Sequence, residues 1–131
     1  MKNFNTWHKL KIQIDSKLEK QRLYFKEAEI WWINLGLNIG FEMNGKDKEF
    51  IRPIVIIKKY NQFSFLAIPL STVKKENKYI FYIGKVDGKD AYANLSQIRN
   101  IDSKRLLRKV GTIQQVTFNE LKRKTSQINF D

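Results

Sequence analysis

The chain has 131 residues, enough for one domain with a single core, and a formal net charge of +12. It contains no cysteine, which excludes disulfides, zinc knuckles and thiol nucleophiles and predicts a reducing, intracellular environment. The start MKNFNTWHKL has no apolar signal-peptide core, and no apolar run approaches ~18 residues, so we expect a cytoplasmic protein that does not enter a membrane.

Positive charge is concentrated at both ends of the chain. Residues 1–26 carry seven Lys or Arg against two acids, residues 103–131 carry seven against two, and residues 27–102 carry eleven against nine. Such a surplus favours polyanions, either phosphate backbones or acidic protein segments. Solubility alone also explains a basic composition, so charge by itself does not decide between these interpretations.

The first segment with a clear period is NTWHKLKIQIDSKLEKQRL. Its apolar residues recur at steps of three, four and four, with Lys and Glu between them, and this spacing predicts an amphipathic helix. The apolar stripe consists of Trp7, Leu10, Ile14 and Leu18. We therefore predict a helical extension over residues 1–26, followed by a second unit over residues 27–131.

The central part of the chain predicts short strands. Five segments rich in β-branched and aromatic residues follow one another, at residues 29–36, 51–60, 63–70, 78–86 and 90–95. Turn-forming pairs separate most of them, at Asn44-Gly45, Asn61-Gln62 and Asp87-Gly88. Strands in such close succession indicate a small antiparallel barrel or sandwich.

Two helices are predicted after the strands. IDSKRLLRKVG can begin at Asp102 or Ser103 and end at Gly111, with Leu106 and Leu107 facing inward. TFNELKRKTSQI has Thr117 and Glu120 at capping-box spacing and carries Leu121 and Ile128 on one face. The predicted architecture is one α+β domain, a β-barrel with helices at its ends.

Several catalytic classes lack the residues that they need. His8 is the only histidine and lies in the predicted N-terminal helix, which excludes histidine-pair nucleases, Ser-His-Asp hydrolases and histidine-ligated metal sites. The acidic turns NGKDKE and KVDGKDA match neither a calcium loop nor a two-metal cluster. No phosphate-binding glycine loop is present.

The remaining chemistry lies in polar side chains near strand ends. Arg52 stands before Pro53 at the entrance of the apolar strand in EFIRPIVIIKKY. These side chains converge only if the strands lie side by side, and each has an ordinary alternative as a surface ion pair, a turn hydroxyl or a polar cap. The candidates are Arg52, Ser71 or Thr72, Gln97 and Arg99.

The ordered segments EIWWINLG, IGFEMNG, RPIVII, IPLST and LSQIRNIDSKRL resemble the MazF/PemK/Kid family of toxin endoribonucleases, over about residues 27–128. The resemblance implies the MazF/Kid/CcdB-like fold, a small SH3-like antiparallel barrel with a C-terminal helix, to which this chain adds an N-terminal helix. It also implies a homodimer, a cognate acidic antitoxin and sequence-specific cleavage of single-stranded RNA without a metal or other cofactor. In this family the 2′-hydroxyl attacks the adjacent phosphate, leaving 2′,3′-cyclic phosphate and 5′-hydroxyl ends.

The resemblance also implies residue roles. The catalytic arginine falls on Arg52, the catalytic threonine on Ser71 and the loop glutamate on Glu42, while Thr72 is the alternative hydroxyl. The expected RNA-binding residues are Gln97, Arg99, Thr72, Lys58 and Lys74. Further candidates for base stacking are Tyr60, Phe63, Phe65 and Trp32, although strand aromatics are more often part of a core.

The sequence departs from the family pattern at several places. Ser71 replaces the usual threonine, Ala28 stands where glycine is common, and the loop between Gly40 and Ile51 is longer than in compact members. The N-terminal helix is additional, and it can pack on the barrel, widen a dimer interface or extend a basic RNA track. Two other functions stay open: a non-catalytic barrel that binds RNA or poisons gyrase and is neutralised by an antitoxin, and a basic barrel whose only partner is an acidic peptide.

Overall fold

A computed structural model of the chain describes residues 3–36, Gly45 and residues 51–131. The two helices in these ranges are α1 (Phe4–Asp15) and α2 (Gln115–Phe130). The strands are β1 (Glu29–Asn34), β2 (Ile51–Lys59), β3 (Ser64–Ser71), β4 (Ile80–Val86), β5 (Lys89–Asn94), β6 (Arg99–Asp102) and β7 (Leu106–Thr112). Short 3₁₀ turns occupy Glu19–Gln21, Leu95–Gln97 and Ser103–Arg105.

The seven strands form one curled antiparallel sheet in the order β4-β5-β3-β2-β1-β7, with β6 also paired to β3. The chain runs from β6 through the Ser103–Arg105 turn directly into β7, which pairs with β1. Strands β6, β3, β2, β1 and β7 therefore curl round into a small barrel. The predicted small antiparallel barrel with an N-terminal and a C-terminal helix is confirmed.

Strand β2 is buried on both faces, which explains its continuous apolar sequence. Ile54 and Ile56 pack inside the barrel with Phe65 and Ile101. The alternate residues of β2 belong to a second apolar cluster, which joins the outer face of the sheet to α2, β4 and β5. Because β2 is buried on both faces, a charged side chain on it is tolerated only where polar groups form hydrogen bonds with it.

Helix α2 covers the outer cluster with Phe118 and Leu121, which are both buried. It begins at Gln115, earlier than the capping-box pattern predicts, and the side chain of its N-cap residue Gln114 forms no capping hydrogen bond. The predicted capping role of Thr117 is therefore wrong, since Thr117 lies inside the first turn.

The predicted helix over residues 102–111 is wrong. Asp102 does cap a helical turn, because its carboxylate accepts a hydrogen bond from Lys104 N at 2.8 Å, but that turn ends at Arg105. Leu106–Thr112 then form β7, which pairs with β1 over Glu29–Ile33. Strand pairing with β1 overrides the local helical preference of this segment.

The N-terminal helix is shorter than predicted. Helix α1 ends at Asp15, and Leu18 is 56% exposed instead of continuing the apolar stripe. Trp7 and Ile14 are buried and Leu10 is partly buried. None of the helices in the described ranges is long and apolar enough to cross a membrane.

Residues after α1 are tied to the Ser103–Arg105 turn. Lys17 Nζ donates to Lys104 O at 2.8 Å, and Lys104 Nζ donates to Asp15 O at 3.0 Å. Arg22 Nη1 donates to Asp102 Oδ1 at 2.6 Å and to Ser103 Oγ at 2.7 Å. Since these bonds join segments far apart in sequence, they fix the extension against the barrel.

Glu29 is the buried acid at the start of β1, preceded by Ala28 in a left-handed conformation with φ of 72° that glycine adopts more easily. Lys109 Nζ lies 2.9 Å from Glu29 Oε2, while Lys26 N and Trp31 Nε1 donate to Oε1 at 2.8 and 3.0 Å. Burial alone raises the pKa of Glu29, but these donors together outweigh burial and the pKa lies below its ordinary value.

We expect the carboxylate of Glu29 to stabilise the fold at neutral pH. Because its pKa is lower in the folded chain, this contribution is complete above the ordinary value of 4.5 and is lost as the pH falls through the folded value. Glu29→Gln is expected to cost about 1–3 kcal/mol of unfolding free energy at pH 7 and much less at pH 3, measured by urea denaturation. Glu76→Gln, at an exposed position, is the control and should change neither value. Equal losses for Glu29→Gln at both pH values would contradict the prediction.

Candidate functional site

Arg52 is the second residue of β2 and is only 9% exposed. It pairs with Ile33 of β1, and its Nη1 donates to Leu70 O of β3 at 2.9 Å. Burial lowers the pKa of Arg52 from its ordinary value. The ordinary pKa of an arginine lies far above neutral pH, where the side chain carries a positive charge. The sheet thus holds a charged guanidinium at a largely buried position.

Ser71 is the last residue of β3 and lies beside Arg52. Ile54 pairs with Pro69, and Arg52 Nη1 donates to the carbonyl of Leu70, the residue directly before Ser71. Ser71 Oγ accepts a hydrogen bond from Val73 N at 3.1 Å, which leaves its hydroxyl proton available for donation.

Gln97 and Arg99 lie along the opposite edge of β3. Strand β5 pairs with β3 at Leu70 and Ser71, whereas β6 pairs with it over Ser64–Ala67. The Leu95–Gln97 turn connects these two pairings, and Arg99 is opposite Ala67. Gln97 therefore lies between the stretches of β3 that pair with β5 and with β6, and Arg99 is opposite a residue four positions before Ser71.

The other predicted residues are more scattered. Lys58 is exposed and six residues from Arg52, up to about 20 Å along β2. Thr72 and Lys74 are exposed after β3, and Lys74 Nζ lies 3.7 Å from Glu76 Oε1. Glu42, Asn44 of the predicted turn and most of the loop between Gly40 and Ile51 lie outside the described residues.

The four candidates for base stacking differ in how deeply their rings are buried. Phe65 is fully buried inside the barrel and packs on Phe25 with ring centroids 4.9 Å apart, so it cannot stack on a base. Trp32 is partly buried, with Arg108 5.6 Å over its ring. Tyr60 and Phe63 are 53% and 42% exposed. Of the four, these two have the most accessible rings.

Arg105 is a cation of this region that the sequence analysis did not select. Its Nη1 donates to Asn34 O at 3.0 Å and to Leu35 O at 3.3 Å, at the end of β1. Its guanidinium lies 5.6 Å from the ring of Trp7. Burial, and secondarily the charge of Arg99, lower the pKa of Arg105. We did not select Arg105 because the sequence analysis predicted a helix over residues 102–111, and a residue in that helix is not expected to contact β1.

These residues provide cationic donors and a hydroxyl on a rigid sheet. Such groups suit a phosphate and the charge that develops on it during transfer. Within the described ranges, no group of three His, Asp or Glu side chains is arranged to hold a metal ion. The fold and the site together define a class: a small curled antiparallel barrel with a cationic, hydroxyl-bearing site at the junction of β1, β2 and β3.

Comparison with known families defines the protein more closely. Residues 26–128 match the family described as the PemK-like, MazF-like toxin of type II toxin-antitoxin systems. This match covers most of the chain, and the chain belongs to that family. The predicted family membership is confirmed, and α1 lies outside the matched residues. No curated protein matches the sequence.

Solved structures agree on the fold. MazF from Deinococcus radiodurans superposes with a TM-score of 0.68 at 17% identity, covering 81% of this chain and 96% of that one. A mycobacterial endoribonuclease in complex with its cognate antitoxin gives 0.63 at 14% identity, covering 82% and 98%. Mycobacterium tuberculosis toxin MazF-mt6 gives 0.60 at 12% identity, covering 79% and 98%. The predicted toxin fold is thereby confirmed.

Proposed function

We propose that this toxin is an endoribonuclease that cleaves single-stranded RNA at short specific sequences and thereby inhibits translation and growth. The observation that carries the proposal is the bond from the buried Arg52 to Leu70 O, the carbonyl of the residue directly before Ser71 on the adjacent strand. Family membership supports this choice, and two of the similar structures are named as endoribonucleases.

In the proposed reaction the substrate supplies its own nucleophile. The 2′-hydroxyl loses its proton and attacks the adjacent phosphorus, the P–O5′ bond breaks, and the leaving O5′ takes up a proton. The products are a 2′,3′-cyclic phosphate and a 5′-hydroxyl. DNA lacks the 2′-hydroxyl and is therefore not cleaved.

Arg52 would stabilise the charge on the pentacoordinate phosphorus. A guanidinium carries five N–H donors, and the bond from Nη1 to Leu70 O fixes its orientation. Burial lowers the pKa of Arg52, which is the direction that favours proton transfer by this group. Ser71 would donate to a non-bridging oxygen. Preorganised donors of this kind each contribute roughly 3 kcal/mol in the transition state.

The remaining polar groups would bind the strand on either side of the reacting phosphate. Gln97 is suited to a base or sugar edge, and Arg99 to a phosphate. The net charge of +12 also suits a cognate acidic antitoxin, and we propose such a partner, as well as a homodimer. One similar structure is described as a complex of an endoribonuclease with its cognate antitoxin.

The test is incubation of the purified chain with mixed-sequence single-stranded RNA in EDTA, followed by sequencing of the cleaved ends. We expect cleavage at one short motif, with 2′,3′-cyclic phosphate ends and no cleavage of the matching DNA. Cleavage only after addition of Mg²⁺ would refute the mechanism. RNA binding without any cleavage would instead favour the non-catalytic barrel.

Ser71→Ala is expected to lower the cleavage rate by about 10²-fold, because it removes one donor to the phosphate. Ser71→Thr keeps the hydroxyl and should retain most of the activity, whereas Thr72→Ala tests the neighbouring hydroxyl. Single-turnover rates on one RNA measure all three, with thermal unfolding as the check on folding. Loss of activity in Thr72→Ala with normal activity in Ser71→Ala would transfer the role to Thr72.

A further inference from the structure

Helix α1 precedes the residues matched by the toxin family, and the proposed function gives it no role. It nevertheless contacts the end of the strand that pairs with Arg52. Two of its neighbours there are Gly36 and Arg105, through the side chain of Trp7.

The contact between Trp7 and Gly36 is close. A Cβ atom added to Gly36 would clash with three atoms of the six-membered part of the Trp7 ring, so the ring lies directly against the backbone two residues after β1 ends. Gly36 has φ of 84°, a left-handed conformation that turns the chain away from the strand. Trp7 therefore occupies space that only a glycine leaves open.

Arg105 joins the same ring to the last residues of β1. Its Nη1 donates to the carbonyls of Asn34 and Leu35, and its guanidinium lies over Trp7. In the described part of the chain Arg105 forms no ion pair, and the Asp102 carboxylate, whose charge also acts on Arg105, pairs with Arg22 at 2.6 Å. The carbonyls and the ring are thus the groups that orient this guanidinium.

The end of β1 is the direct neighbour of Arg52. Ile33 pairs with Arg52 on β2 and with Leu106 on β7, and Asn34 pairs with Ile51. Adjacent strands are about 4.8 Å apart, so a displacement at Asn34 reaches the backbone of Arg52 across a single strand spacing. A displacement of about 1 Å at a catalytic group can lower a rate by about 10²-fold.

We infer that Trp7 and Arg105 are positioning residues, which fix the end of β1 and through it the placement of Arg52. This inference deepens the proposed ribonuclease function and rests on it. Neither residue needs to touch RNA for this role. The N-terminal extension is then a working part of the site and is required for full catalytic rate.

Two measurements on Trp7→Ala test the inference. Steady-state cleavage of single-stranded RNA should show kcat lowered about tenfold to a hundredfold with KM changed by less than about threefold. Hydrogen–deuterium exchange should rise in peptides that contain Asn34 and Arg52, and stay unchanged in peptides from α2. Trp7→Phe, which keeps an aromatic ring on Gly36, should restore most of kcat.

Ile14→Ala is the matched control, because Ile14 is buried on the same helix about two turns away from Trp7. It should lower thermal stability while leaving kcat within about twofold of wild type. Arg105→Met should behave like Trp7→Ala. An equal loss of kcat in Ile14→Ala and Trp7→Ala would overturn the specific role of Trp7, and so would unchanged kcat and exchange in Trp7→Ala.

Failure of the proposed function gives a different result. If the wild-type chain cleaves no RNA but Trp7→Ala still raises exchange at Asn34 and Arg52, the ribonuclease proposal fails while the structural connection between Trp7 and Arg52 stands. If wild type cleaves RNA and Trp7→Ala matches it in both measurements, the positioning inference fails and the ribonuclease proposal stands.

Discussion

Arg52→Met is expected to lower the rate of RNA cleavage by about 10²–10³-fold while the chain stays folded. The substitution removes the donors that would face the charge developing on phosphorus, and each preorganised donor is worth roughly 3 kcal/mol in the transition state. Methionine keeps an apolar stem of similar length, so the packing of β2 beside Ile54 is retained. Single-turnover kinetics on a fixed RNA measure the rate.

The cost to the fold should be smaller than the cost to the reaction. Arg52→Met leaves Leu70 O without the bond from Nη1, at about 1–3 kcal/mol of unfolding free energy. Arg52→Lys keeps the charge but not the planar fork of donors, so we expect it to remain at least about tenfold slower than wild type. Thermal unfolding of both variants confirms that they are folded at the assay temperature.

Arg108→Met is the control for loss of a positive charge. Arg108 is exposed on β7 and pairs with Trp32 of β1, with its guanidinium over the ring of that residue. Its replacement should weaken RNA association modestly and leave the single-turnover rate nearly unchanged. A cleavage rate in Arg52→Met above about a tenth of wild type would contradict the catalytic role.

The sequence predicts the part of the site that depends on two neighbouring strands. The hairpin of β2 and β3 is formed by consecutive segments, and the apolar run after Pro53 defines β2 clearly. Arg52 and Ser71 are therefore predictable as neighbours once the two strands pair. Gln97 is also a candidate from its place near a strand end, but the sequence does not predict its position relative to Arg52, because that position depends on how β5 and β6 divide one edge of β3.

The sequence does not predict the segment from Asp102 to Thr112, because its structure depends on distant residues. Asp102 gives a true capping signal, but only for a single turn. The conformation of residues 106–112 is decided by pairing with β1, roughly 75 residues earlier in the chain, and single-sequence patterns contain no information on such pairing. Arg105 was missed for the same reason, since its acceptors are carbonyls of β1.

The length of α1 was overestimated, because the helical spacing of apolar residues continues in the sequence after the helix has ended. Leu18 fits the apolar spacing of Trp7 and Ile14, yet α1 ends at Asp15. The residues that follow bond to Lys104 and Asp102 instead of continuing the helix. Tertiary hydrogen bonds at Lys17 and Arg22 thus replace the last helical turns.

Gly36→Ala is expected to cost about 3–5 kcal/mol of unfolding free energy. This is the largest loss of stability that we predict for the addition of a single methyl group. The added Cβ would overlap the ring of Trp7, and alanine at φ of 84° is strained by about 1–2 kcal/mol in addition. Because Trp7 is the buried anchor of α1, the overlap should displace the helix from the barrel. Urea denaturation measures the loss, and Gly84→Ala is the control, since it adds the same methyl at φ of 107° with no atom within 4 Å of the new Cβ.

A double-mutant cycle separates the overlap from the backbone strain. In a Trp7→Ala background the ring is absent, so Gly36→Ala should cost only the strain of about 1–2 kcal/mol. The difference between the two backgrounds, about 2–3 kcal/mol, would measure the contact between Trp7 and Gly36. Additive costs in the cycle would show that the ring does not lie on Gly36, and would then also remove the physical basis for the effect of α1 on Arg52. If instead the costs of Trp7→Ala and Gly36→Ala are coupled and Trp7→Ala also lowers kcat, the packing of α1 is connected to catalysis through the end of β1.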